Sequence, residues 1–183
     1  MQNFIFRLPT KVIFGNGAVK NIGEICKELG ASKIFLVTGK TATKKSPYIP
    51  QMVAALEAVG LQVLLYSEIE ADPSIETVDH GAQILKEFGA DAVIAFGGGS
   101  PMDAAKSMAM LSANDGSIAD YIRGRKTIIN RSLPLICIPT TAGTGSEVTS
   151  AAVTSDKKTR EKIGLSHDYM MPVLAIIDPE LHI

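Results

Sequence analysis

The chain has 183 residues, of which 46% are hydrophobic and 20% charged, and its net charge is −1. This length and composition are typical of one globular α/β domain with a buried core, and the near-neutral charge argues against a nucleic acid or an anionic membrane as partner. The sequence has no apolar run long enough to span a membrane, and its first nine residues lack the features of a signal peptide, so we expect a cytoplasmic protein.

The predicted elements alternate between strand and helix along the chain. In order they are a hairpin of 4–7 and 11–14, a helix over 16–29, a strand over 33–38, a helix over 50–59, a strand over 62–66, a helix from the cap Ser74 to Phe88, a strand over 92–96, a helix over 102–111, a strand over 133–138, a hairpin of 151–155 and 161–165, and a strand over 173–178. This alternation predicts a doubly wound, mainly parallel sheet in a single α/β domain over 1–183, with a β-hairpin at its N-terminus.

The first candidate site, here called the glycine loop (97–100), follows the apolar strand over 92–96. Its glycines and the residues after it are, in order, Gly97, Gly98, Gly99, Ser100, Pro101, Met102 and Asp103. Glycines let main-chain amides approach a ligand closely, and we expect Pro101 to open a helix whose first turn holds Asp103. The pattern predicts a phosphate site, and a tight turn without a ligand is the alternative.

The second candidate site, here called the hydroxyl loop (139–149), follows the apolar strand over 133–138. Its hydroxyl-bearing residues are Thr140, Thr141, Thr144, Ser146 and Thr149. Because parallel strands end at one edge of a sheet, both loops should lie together there, where hydroxyls can bind ribose, phosphate or an amide. A loop that merely caps the next element is the alternative.

Together the two loops resemble those of the iron-containing (group III) alcohol dehydrogenase family, and residues 10–17 and 176–181 extend the resemblance over the chain. The resemblance implies the Rossmann-like nucleotide-binding domain of the dehydroquinate synthase-like fold. It also implies that a nicotinamide dinucleotide binds with its pyrophosphate on the glycine loop, and that hydride passes between this cofactor and an alcohol or aldehyde.

Two further cofactor contacts follow from the resemblance alone. The family places a lysine near the nicotinamide ribose at the position of Lys162, and an aspartate near the cofactor at the position of Asp72. An exposed hairpin lysine and a turn before Pro73 are the alternatives.

The residues after the strand over 33–38 bear on the choice of cofactor. Family members selective for NAD resemble this stretch but carry an aspartate where this chain has Gly39. Without that acid, nothing repels a 2′-phosphate, and nearby cations and hydroxyls could bind one. The candidate residues for this contact are Lys40, Thr41, Thr43, Lys44 and Lys45. We therefore predict a preference for NADP over NAD, with a solvated lysine loop as the alternative.

The chain contains three histidines, which are too scattered to suggest a metal site. In the family, one aspartate and three histidines on a following helical domain hold the metal. The resemblance therefore implies that the metal ligands lie beyond Ile183, and that iron(II) or another divalent ion binds only with that domain.

The resemblance also implies that this chain supplies no catalytic residue, is inactive alone and forms a homo-oligomer. A zinc-dependent relative such as glycerol dehydrogenase or dehydroquinate synthase, and a non-enzymatic nucleotide-binding module, are the alternative interpretations.

Overall fold

A computed structural model describes residues 8–41 and 46–182. The strands in these ranges are β1 (Lys11–Phe14), β2 (Lys33–Gly39), β3 (Gln62–Ile69), β4 (Ala92–Gly97), β5 (Leu135–Pro139), β6 (Ala151–Asp156), β7 (Glu161–Ser166) and β8 (Leu174–Ile177). The α-helices are α1 (Ile22–Glu28), α2 (Tyr48–Ala58), α3 (Ile75–Phe88), α4 (Gly99–Ala113) and α5 (Ile118–Ile122). None of these helices is long and apolar enough to cross a bilayer.

Six of the strands form one sheet in the order β1-β8-β5-β4-β2-β3. Every neighbouring pair in it is parallel, and β6 and β7 form a separate antiparallel hairpin. The doubly wound, mainly parallel α/β fold predicted from the sequence is thus confirmed.

The helices cover both faces of this sheet. Helices α1 and α2 pack on one face in a core that includes Ile34, Leu36 and Ile94. Helices α3, α4 and α5 pack on the other face, around Phe35 and Val93. Since β2 leads into α2 and the adjacent β4 leads into α4 on the opposite face, the chain diverges between these two strands. Open α/β sheets bind ligands in the crevice that such a divergence leaves at the carboxyl ends of the strands.

The elements with clear local signals lie where the sequence predicts them. Helix α3 is capped by Ser74, whose hydroxyl accepts from the Thr77 amide, and it ends at Gly89 in a left-handed conformation. Strand β4 is buried along its whole length, as expected for a central parallel strand. The β6–β7 hairpin also lies at its predicted position.

Helix α4 begins three residues before the predicted start. It opens at Gly99, and Gly98 is its extended N-cap, so the second half of the glycine loop already belongs to the first turn of the helix. The prediction that Asp103 lies in this first turn is therefore wrong. Burial of nearly every residue from Pro101 to Leu111 outweighs the poor helix propensity of glycine.

The remaining differences concern short elements. The helix predicted over 16–29 is divided into a 3₁₀ turn at Ala18–Asn21 and α1. Helix α5 was not predicted, and a capping box of Ser117 and Asp120 stabilises its N-terminus. Strand β1 pairs in parallel with β8 at the sheet edge, and the partner strand of the predicted N-terminal hairpin, Phe4–Arg7, lies outside the described residues.

Candidate dinucleotide-binding site

The glycine loop has a geometry that only small residues permit. Gly97 has φ +142°, and a β-carbon there would lie 2.9 Å from Pro101 Cγ. The first amides of α4, including that of Ser100, have no carbonyl partner within the helix and point out of its positive end. The loop can therefore offer main-chain donors to an anion at the carboxyl edge of the sheet.

The hydroxyl loop lies directly against the glycine loop. The Thr140 amide donates to the Gly97 carbonyl over 3.0 Å. A β-carbon at Gly98 would lie 3.3 Å from Thr141 Oγ1, and one at Gly99 would lie 3.2 Å from Thr144 Cγ2. The absence of side chains at these two glycines thus lets the threonines of one loop approach the backbone of the other.

A buried polar network connects the helix that follows the glycine loop to the hydroxyl loop. Lys106 on α4 is fully buried, and its Nζ donates to Ser146 Oγ over 2.7 Å and to the Ala151 carbonyl over 2.7 Å. Thr149 Oγ1 is a longer third acceptor at 3.4 Å. Burial lowers the pKa of Lys106, while the nearby Asp103 carboxylate acts in the opposite direction. These contacts connect the helix that starts at the glycine loop to the hydroxyl loop and to β6.

Asp103 belongs to the same network. It accepts from Ser146 Oγ over 2.7 Å and from the Val153 amide over 3.0 Å, and its carboxylate lies 3.8 Å from Lys106 Nζ. Its carboxylate therefore fixes the hairpin and the hydroxyl loop to α4.

Two predicted residues from distant segments contact each other beside the glycine loop. Lys162 Nζ lies 2.7 Å from Asp72 Oδ2, and the Asp72 amide donates to Ser100 Oγ over 3.3 Å. Asp72 has φ +56°, an unusual conformation for this residue type, before Pro73. The hairpin lysine, the aspartate and the start of α4 thus meet at one place.

The hairpin that carries Lys162 is held by Glu70, at the end of β3. The Glu70 carboxylate accepts from Ser74 Oγ over 2.8 Å, from Thr77 Oγ1 over 2.9 Å and from Lys157 Nζ over 3.1 Å. Burial raises the pKa of Glu70, but hydrogen bonds from its own backbone and from these three side chains outweigh that effect and lower the pKa to about 2. At the end of β6 in the same hairpin, Asp156 pairs with Arg123.

The carboxyl end of β2 provides the other side of the crevice. A β-carbon at Gly39 would lie 3.6 Å from both Pro101 Cγ and the Ile69 carbonyl oxygen, which are ordinary contact distances. Lys40 pairs with Glu68 of β3 at 3.4 Å, and Thr41 is exposed. The other predicted residues of this segment lie outside the described residues: Thr43, Lys44 and Lys45.

The residues present fit a dinucleotide but do not form a metal site. The glycine loop is a cradle that β-carbons would fill, and the buried Thr38 hydroxyl at the end of β2 has no hydrogen-bond partner among the residues that the structure describes. By contrast, residues 8–41 and 46–182 contain no group of three or more His, Cys, Asp or Glu that could hold a metal ion. The prediction that the metal ligands lie beyond Ile183 stays a prediction.

Sequence reasoning missed three residues that organise this site: Lys106, Glu68 and Glu70. In the sequence Lys106 closes the glycine-loop motif but has no visible partner, and Glu68 and Glu70 lie outside the strand predicted over 62–66. The apolar residue Ile69 in the alternating pattern was a signal that β3 continues to that point.

Comparisons with known proteins agree with this geometry. Residues 9–179 match the sequence profile of the family described as iron-containing alcohol dehydrogenase. A choline dehydrogenase of Bacillus subtilis is 39% identical over 186 residues, which cover 100% of this chain and 46% of the relative. The crystal structure of NADH-dependent butanol dehydrogenase A from Thermotoga maritima has a TM-score of 0.93 and 34% identity, covering 99% of this chain and 45% of that one. Sulfoacetaldehyde reductase from Bifidobacterium kashiwanohense, solved in complex with NAD+, has a TM-score of 0.92 and 33% identity, covering 99% and 47%.

The chain spans a little less than half the length of these relatives. The match nevertheless includes both loops, the β6–β7 hairpin and the sheet that positions them. On the profile match, the sequence identity and the shared fold together, the chain belongs to the iron-containing alcohol dehydrogenase family.

Proposed function

We propose that this chain is the cofactor-binding part of an alcohol dehydrogenase that transfers hydride between NADP(H) and an alcohol or aldehyde. The observation that carries the proposal is the meeting of the glycine loop and the hydroxyl loop at the point where the sheet diverges between β2 and β4. This is the position at which open α/β sheets bind dinucleotides.

The pyrophosphate would lie on the glycine loop. The amides of Gly98, Gly99 and Ser100 are close to the positive end of α4, which favours an anion. The exposed hydroxyls of Thr141 and Thr144 lie beside these glycines and can donate to phosphate or ribose oxygens.

The nicotinamide end would lie towards the β6–β7 hairpin, where Lys162 can donate to a ribose hydroxyl. In the structure its ammonium lies 2.7 Å from Asp72 Oδ2, and the Asp72 amide donates to Ser100 Oγ, so this lysine is close to the glycine loop. When bound, the nicotinamide supplies the carbon that accepts or donates the hydride. The role of this chain is to orient that ring and to fix the ribose.

The preference for NADP rests on the end of β2. Gly39 presents no acid to a 2′-phosphate, while Lys40 and Thr41 follow it immediately. The competing assignment is NAD, because the butanol dehydrogenase of Thermotoga maritima is NADH-dependent and the Bifidobacterium reductase was solved with NAD+. The absence of an acid at position 39 favours NADP in this chain.

Calorimetric titration of the protein with NADPH and with NADH, without added metal, tests the proposal. Binding is the appropriate readout because the family resemblance places the metal ligands on a separate helical domain. We expect NADPH to bind at least about tenfold more tightly than NADH, equivalent to about 1.4 kcal/mol. Binding of NADH alone would overturn the NADP preference, and binding of neither would overturn the cofactor-binding role.

A further inference from the structure

The buried ammonium of Lys106 is the feature that the proposed function leaves unexplained. Its side chain is fully buried in the middle of α4, beside apolar residues such as Met102 and Met110. Burial of an unpaired charge is very costly, and even a paired one is often no more stabilising than an apolar residue of the same size. Because a methionine could fill this space without that cost, packing does not account for a lysine here.

The hydrogen bonds of Lys106 indicate what the ammonium adds. Its three donors have three acceptors, Ser146 Oγ, Thr149 Oγ1 and the Ala151 carbonyl, all within or just after the hydroxyl loop. Ser146 Oγ in turn donates to Asp103, one turn earlier on α4. One side chain of the helix thus contacts the hydroxyl loop at two positions and the start of β6 at a third, all within six residues.

These contacts of Lys106 determine how the hydroxyl loop lies against the glycine loop. Thr141 and Thr144 come from the segment just before Ser146, and they lie at contact distance from the sites of β-carbons on Gly98 and Gly99. The glycine loop is the start of the same helix that carries Lys106. If the loop moved away from α4, these threonines would no longer lie beside the glycine amides.

We infer that Lys106 is a positioning residue that holds the hydroxyl loop against the first turn of α4, so that a dinucleotide meets an already assembled cradle. This inference rests on the proposed function only for the identity of the ligand. The apparent Kd of a ligand equals its intrinsic Kd divided by the fraction of the protein in the competent conformation, so a protein that already populates this conformation binds more tightly.

The test combines hydrogen exchange with titration on the full chain and the variant Lys106→Met. We expect the amides of 140–149 to exchange at least about tenfold faster and the Kd for NADPH to rise about tenfold, as for the loss of one hydrogen bond to a charged group. Amides of strand β4 should keep their protection, because methionine fills the same space. Unchanged exchange of 140–149 in a folded Lys106→Met protein would overturn the inference.

A milder pair of variants decides the question if Lys106→Met does not fold. Ser146→Ala removes the hydroxyl between Lys106 and Asp103, while Ser112→Ala removes a hydroxyl of α4 that donates to the Ala109 carbonyl of its own helix. We expect faster exchange of 140–149 in the first variant and no change in the second. Equal behaviour of the two would overturn the inference. If the unaltered protein binds neither cofactor, the proposed function fails, whereas the exchange data still report on Lys106.

Discussion

The two ends of the candidate site hold their polar groups in different surroundings. Beside the glycine loop, Lys106 is fully buried and donates to Ser146 Oγ of the hydroxyl loop over 2.7 Å. At the end of β2, Lys40 and Glu68 form an ion pair in which 54% and 61% of the side chains are exposed. Salt screens buried polar contacts much less than exposed ones, whereas exposed ion pairs contribute little and weaken with salt. We therefore expect the first end to decide whether a dinucleotide binds and the second to decide which one.

The largest expected effect on cofactor binding comes from a substitution in the glycine loop itself. Gly97→Ala places a β-carbon at φ +142° and 2.9 Å from Pro101 Cγ, so that the first turn of α4 must shift. We expect both cofactors to bind about 30-fold more weakly or worse, equivalent to about 2 kcal/mol, in calorimetric titration. Gly30→Ala is the control, because Gly30 also has a positive φ (+78°), but a β-carbon there would have no atom of the described residues within 4 Å. It should lower the melting temperature and leave the Kd unchanged, and an equal loss of binding in both variants would contradict the role of the loop.

A change at the end of β2 should instead alter the choice of cofactor. Gly39→Asp introduces an acid at ordinary contact distances, without the strain of a positive φ. Repulsion of the 2′-phosphate should weaken NADPH about tenfold, about 1.4 kcal/mol, and leave NADH binding equal or tighter. Gly39→Asn has nearly the same shape without the charge. A similar loss of NADPH binding in the asparagine variant would show that steric hindrance is responsible.

The residues of the site also differ in how far the sequence predicts their roles. The glycine run, the threonines of the hydroxyl loop and the strand β4 were found because each has a local signature of residue type and spacing. Lys106 has no such signature, because the acceptors that permit its burial lie 40 to 45 residues further along the chain. A lysine in a helix is ordinarily exposed, and only the tertiary fold reverses that expectation.

The edges of elements were harder to place for a related reason. Helix α4 begins within the glycines because its packing, and not its propensity, selects the start. Consequently Asp103 lies not in the predicted first turn but at a position where it accepts from Ser146 and the Val153 amide. Strand β3 continues to Ile69, which brings Glu68 beside Lys40. Such contacts depend on the exact residue at which a helix or strand begins or ends, and the hydrophobic periodicity of the sequence does not define that residue.

Glu70 is intermediate between the two ends, because its side chain is 23% exposed and its carboxylate holds the hairpin that carries Lys162. The pKa of Glu70, about 2, is below the ordinary 4.5, so the folded protein prefers the ionised form. Its contribution to stability is complete above about pH 4.5 and is lost as the pH falls towards 2. We expect Glu70→Gln to lower the melting temperature at pH 7 by about 2–4 °C, the size of a 1 kcal/mol loss, and the difference from the unaltered protein to shrink below pH 4.5.

The control for this measurement is Glu28→Gln, at the end of α1 on the opposite face of the sheet. It removes the same charge away from the hairpin, so its melting temperature should follow that of the unaltered protein between pH 7 and pH 2. A pH-independent difference for Glu70→Gln would show that the carboxylate charge does not anchor the hairpin.

The smallest effect is expected for Glu68→Gln, and it tests the exposed end most directly. Glu68 is the partner of Lys40 in the structure, and a 2′-phosphate would have to compete with it for that ammonium. Removing the charge should tighten NADPH binding about two- to threefold at low salt and leave NADH unchanged, since exposed pairs are worth up to about 1 kcal/mol. The gain should disappear in about 1 M salt, where the screening length falls to about 3 Å. Glu57→Gln on α2 controls for the change in net charge, and in the double variant with Lys40→Gln the gain should be absent. A gain that persists at high salt, or that does not need Lys40, would show that Glu68 acts by another route than this ion pair.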